Sequence, residues 1–76
     1  MPPDTTLYFS SNQDLAKALL IARGFQAGLI ANGRTEGFKA VGRPERDPAE
    51  MGVSYLFDDD LDHLGGALKT NGVEYW

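Results

Sequence analysis

The chain has no cysteine, so neither a disulfide framework nor a thiolate metal site can form. It has one histidine, His63, so any nucleophile–base pair would rest on a single imidazole. No G-x-S-x-G elbow and no phosphate-binding glycine loop occurs. These absences argue against an enzyme, and no cofactor is expected. The longest strongly apolar run, Ala18 to Ala22, falls far short of the roughly 20 residues that cross a bilayer. The opening residues MPPDTT lack both the basic region and the apolar stretch of a secretory signal. A cytoplasmic setting is therefore expected, in a cell or in a phage-infected cell, with no membrane partner.

A basic excess is missing too. The net charge of −4 is uneven along the 76 residues. Up to Asn32, Asp4 and Asp14 balance Lys17 and Arg23, and from Gly33 to Met51 four acids balance four bases. The whole surplus falls after Met51, where Asp58, Asp59, Asp60, Asp62 and Glu74 face Lys69 alone. Such a field favours a protein partner with a basic surface and speaks against nucleic acid.

What is present is organised around Leu7 to Ala31. Leu7-Tyr8-Phe9 has the aromatic and branched content of a strand. Ser11 and Asp14 have the spacing of a helix-capping box. Leu15, Ala18, Leu19 and Ala22 then share one helical face. Gly24 reads as the helix stop and Phe25 to Ala31 as a second strand. On the helical wheel Leu20 and Ile21 lie about 140° and 240° from Leu15. One sheet cannot cover both, and Ile21, beside Lys17, is a candidate for a partner surface.

Tyr55 to Trp76 reads as a weaker copy. Phe9 aligns with Phe57, Asp14 with Asp62, Leu20 with Leu68 and Gly24 with Gly72, all at an offset of 48. Asp58 to Asn71 is the expected second helix, with Leu61, Leu64 and Leu68 as its buried stripe, and Val73 to Trp76 the last strand. Gly65 and Gly66 inside that helix imply close packing, onto the sheet or the first helix. Two β-α-β units in tandem predict a single α+β domain over 1–76, a ferredoxin-like βαββαβ sandwich with both helices on one face of an antiparallel sheet. Phe38 to Val41 is a candidate extra hairpin strand, 1–4 a frayed arm, and 43–51, which contains RPERDPAE, an exposed loop. A chain this short buries only about 60% of its extended surface, so dimerisation is a plausible support, through an edge near Phe38 or Val73.

Asp58, Asp60 and Asp62 match the opening of a calcium loop, but His63 stands where that loop needs glycine and Lys69 where it needs a bidentate glutamate. Helix capping explains the acids, and no metal site is expected. The partner-binding candidates are Asp58, Asp59, Asp60, Asp62, Ile21 and the terminal Trp76.

Three resemblances bear on function. Leu7-Tyr8-Phe9 and Gly52 to Phe57 resemble the paired aromatic strand motifs of RNA-recognition-motif domains, which would make Tyr8 and Tyr55 base-stacking residues of a single-strand-binding module. The stretch FSSNQDLAKALLIARGFQAGLI is similar to one strand–Ser–helix–Gly-aromatic unit of SPOR domains, which implies a duplicated β-α-β fold and, for that family, peptidoglycan binding. In size, charge and fold the chain also resembles phage and mobile-element inhibitors of the anti-CRISPR type, which present carboxylates to basic nucleic-acid grooves. The function expected is a small, acidic, non-enzymatic protein-binding module of that kind, with single-strand nucleic-acid binding as the alternative.

Overall fold

A computed structural model describes residues 2–34 and 37–76. The elements run β1 (Thr5–Phe9), α1 (Asn12–Ala31), β2 (Phe38–Arg43), β3 (Ala49–Tyr55) and α2 (Asp58–Thr70). The three strands form one antiparallel sheet in the order β1-β3-β2. This α+β order fits the expected βαββαβ arrangement only roughly, because Val73 to Trp76 is no full strand. It makes a single backbone bridge, Tyr8 N–H to the Trp76 carbonyl at 2.8 Å and Trp76 N–H to the Tyr8 carbonyl at 3.1 Å.

Strand alternation sorts the sheet into two faces. Leu7 and Phe9 of β1, Phe38 of β2, and Ala49, Met51 and Val53 of β3 point inward. Leu15, Ala18 and Ala22 of α1, with Leu64 and Leu68 of α2, close over them in one core. Both helices therefore lie on the same side. Thr6, Tyr8, Lys39, Val41, Arg43, Glu50, Gly52 and Ser54 form the opposite, helix-free face. Pro3 lies over Gly52, where a Cβ would come within 2.9 Å of its ring.

The largest correction concerns α1. Gly24 does not stop it, and Phe25 to Ala31 is helix rather than strand. Phe25 and Leu29 continue the buried stripe of Leu15, Ala18 and Ala22 at spacings of three and four, which is helical periodicity. Phe25 meets Phe38 edge-on at 5.1 Å, and the Gln26 side-chain amide donates to the Phe38 carbonyl at 3.1 Å. Tertiary contact outweighs the cost of two internal glycines, about 1 kcal/mol each. The second strand of the sheet is instead the Phe38 segment, extended to Arg43.

The offset-48 copy is not a structural repeat. Phe9 is fully buried whereas Phe57 is 55% exposed, and Leu20 is 70% exposed whereas Leu68 is fully buried. Gly24 sits inside a helix, while Gly72 follows one at φ +72°. The arm is held rather than frayed over its described residues, since Pro3 packs on Gly52 and Asp4 Oδ2 accepts the Tyr55 N–H at 2.8 Å; Met1 lies outside the described residues. The loop at 43–51 shrinks to a turn, because β2 runs through Arg43 and β3 starts at Ala49 with Ala49 and Met51 buried. Gly65 makes its close approach to the C-terminal segment. A Cβ there would lie 2.6 Å from the Tyr75 hydroxyl of the C-terminal segment. A cleft of about 360 Å³ runs beside that crossing, between Leu61 and Lys69 of α2 and Tyr75.

Candidate binding surfaces

The acidic cluster divides on folding. Asp58, Asp59 and Asp62 are exposed on the first turns of α2. Asp60 is buried, at 2% exposure. A bare carboxylate there would be costly, and Arg34, just beyond the end of α1, supplies the counter-charge at 2.5 Å. The same guanidinium lies 4.6 Å above the Phe57 ring. Arg34 thus joins the end of α1 to the start of α2. Asp60 is a structural anchor, and the surface cluster is three carboxylates, not four. Helix α2 has no side-chain cap at Phe57, so the acids of its first turn, Asp58 to Asp60, offset its positive end instead.

Two apolar side chains stand immediately before these acids. Leu56 is 69% exposed and Phe57 more than half exposed, although the chain turns a corner there from β3 into α2. The corner thus carries apolar and acidic groups in succession, Leu56-Phe57-Asp58-Asp59 with Asp62 one turn on. The sequence singled out the acids and missed Leu56 and Phe57, which read as the end of a strand. Their signal was the strand's own alternation, which stops at Tyr55.

The remaining candidates lie elsewhere. Ile21 is half-buried against the core, and Leu20 is the residue that α1 turns outward. Trp76 is 60% exposed and stacks on Tyr8, ring centroids 6.4 Å apart, on the helix-free face. Trp76 and the α2 acids therefore do not share one surface. Tyr55, paired with Tyr8 in the single-strand-binding alternative, points the other way. It packs on the core with its hydroxyl 3.1 Å from that of Thr5. The helix-free face of β3 carries Glu50, Gly52 and Ser54, without an aromatic.

Among the described residues no group of three metal-ligating side chains converges, and no helix is long and apolar enough to cross a membrane. No family model, curated protein or solved structure matches this chain.

Proposed function

We propose that the chain is a small, non-enzymatic protein-binding module that docks through the corner formed by Leu56, Phe57, Asp58, Asp59 and Asp62. The observation that carries this reading is the exposure of two large apolar side chains beside three carboxylates that make no ion pair among the described residues. An aromatic anchor that is desolvated on contact supplies most of the affinity in such interfaces. The surrounding carboxylates steer the approach and select a basic partner. The most specific form is an inhibitor of the anti-CRISPR type, laid over a basic nucleic-acid groove of a host complex. In this reading the Val73–Trp76 tail is the reduced fourth strand of a ferredoxin-like sandwich, and the corner is its β3–α2 junction.

The test is a partner captured on the immobilised wild-type chain and then measured against variants. Phe57→Ala should weaken binding about tenfold or more, as an interface anchor does. Replacing Asp58, Asp59 and Asp62 together by asparagine should slow association and flatten its salt dependence. Wild-type binding by both variants, with their folds intact by circular dichroism, would reject the proposal.

A further inference from the structure

The outer edge of β2 carries a chemistry opposite to that of the acidic turn of α2. The register fixes what this edge offers. Leu56 N–H donates to the Gly37 carbonyl at 2.8 Å, so Gly37 is hydrogen-bonded to the β3 side. Antiparallel pairing alternates such positions, which puts Lys39, Val41 and Arg43 in the β2–β3 ladder. The N–H and C=O groups of Phe38, Ala40 and Gly42 then point off the sheet. The Phe38 carbonyl is taken by Gln26, whereas those of Ala40 and Gly42 have no partner among the described residues. An edge of this kind is a template for another strand.

The side chains on the helix-free face define which strand. Lys39, Val41 and Arg43 present cation, apolar group and cation in sequence, all exposed. Neither cation makes an ion pair among the described residues; Glu50, directly across from Arg43 in β3, lies 3.9 Å from Arg46 instead. A concavity of about 260 Å³ follows the same three residues, with Pro3, Gly52 and Ser54 as its far wall. A second copy meets a charge penalty in the register that aligns the full length of this edge. Pairing Ala40 with Gly42 of another copy sets Lys39 opposite Arg43, and like charges directly opposite are destabilising.

We propose that the β2 edge is a second docking site, which takes an extended acidic segment of another protein as an added strand. Main-chain bonds to Ala40 and Gly42 hold the segment. Two acids four positions apart sit opposite Lys39 and Arg43, with an apolar residue midway between them opposite Val41. This mode takes its affinity from the backbone and its selectivity from alternate side chains. Glu45 and Asp47 in the β2–β3 turn bound the site, so the added strand ends before that turn.

The probe is the peptide Thr-Glu-Thr-Val-Thr-Glu-Thr, titrated into the labelled protein and followed by NMR. The amides of Ala40 and Gly42 should shift and exchange more slowly with solvent. A peptide with lysine for both glutamates should bind about tenfold more weakly or worse. N-methylation of its third and fifth residues, which keeps the charge and removes the donors facing Ala40 and Gly42, should abolish binding. The charge reversal Lys39→Glu with Arg43→Glu should reverse the preference, toward the lysine peptide. Ala40→Pro removes one outward donor and leaves the β3 ladder alone; should it fail to fold, the N-methylated peptide carries the same test. Equal binding of acidic and basic peptides, full binding of the methylated peptide, or no binding at all would overturn the proposal. So would protection of Ala40 and Gly42 in a dimer without peptide, which assigns the edge to a second copy. Tighter binding of an oligothymidylate that shifts the same residues would assign the face to single-stranded nucleic acid, and would overturn it as well.

Discussion

The two helices end alike and begin differently. Each stops on Asn-Gly, and each asparagine side chain donates to a carbonyl four residues back, Asn32 to Gly28 at 2.8 Å and Asn71 to Ala67 at 2.7 Å. The glycine adopts positive φ, +85° at Gly33 and +72° at Gly72. Its N–H returns to Ile30 or Lys69, and that of the following residue to Leu29 or Leu68. This is the same Schellman closure twice. The starts share acids in the first turn but differ in their caps. Ser11 caps α1 by accepting the Asp14 N–H at 3.2 Å, whereas α2 has no side-chain cap. The residue after each closure makes the difference useful. Val73 drops into the core above Leu68, and Arg34 reaches across to Asp60. One local motif thus serves two long-range tasks, set by a single side chain beyond the glycine.

The sharpest test removes the leucine at the third position from each helix end. Leu68→Ala should cost about 3 kcal/mol in urea unfolding, since the side chain is fully buried. Leu29→Ala should cost about half as much, because Leu29 is only partly covered. Equal losses would mean that the two ends carry equal tertiary load. Next, Asp60→Ala should destabilise by about 2 kcal/mol through the unpaired Arg34, discounted because that guanidinium is partly exposed. Asp59→Ala, one residue away and exposed, should stay within about 0.5 kcal/mol. The smallest effects separate the glycines. Gly33→Ala and Gly72→Ala should each cost about 1 kcal/mol, from strain at positive φ. Gly24→Ala should instead stabilise by up to about 1 kcal/mol, since its φ is ordinary and nothing lies within 4 Å of the added carbon. A loss at Gly24 would return it to the role of helix stop.

That glycine marks where the sequence could be read and where it could not. Local signals carried through: the Ser11 cap, and α2, expected over 58–71 and found as Asp58–Thr70. Each depends on neighbours within a few positions. The end of α1 was misread because Phe25 to Ala31 is apolar enough for either a buried strand or a buried helix, and only the contacts of Phe25 and Gln26 with β2 decide. Asp60 was misread for the same reason. Nothing in Asp58-Asp59-Asp60 tells its third member apart until Arg34, 26 residues earlier, arrives beside it. The surfaces followed suit. The acids were visible as composition and an edge near Phe38 as a candidate pairing edge, while the outward Leu56 and Phe57, and which groups of that edge point off the sheet, became visible only with the strand register.

The hold on Trp76 has a practical side. The chain's one indole is joined to the sheet through a single backbone bridge and one ring, that of Tyr8. Its fluorescence will therefore register release of Trp76 from Tyr8, an event far less costly than melting of the core, in which Val73 is buried. Emission spectra should redden at denaturant concentrations where the far-ultraviolet helix signal is still intact. A spectroscopist who took the indole as a gauge of global unfolding would underrate the molecule; taken as a gauge of the C-terminal clasp, it becomes a built-in sensor for anything that settles on the helix-free side.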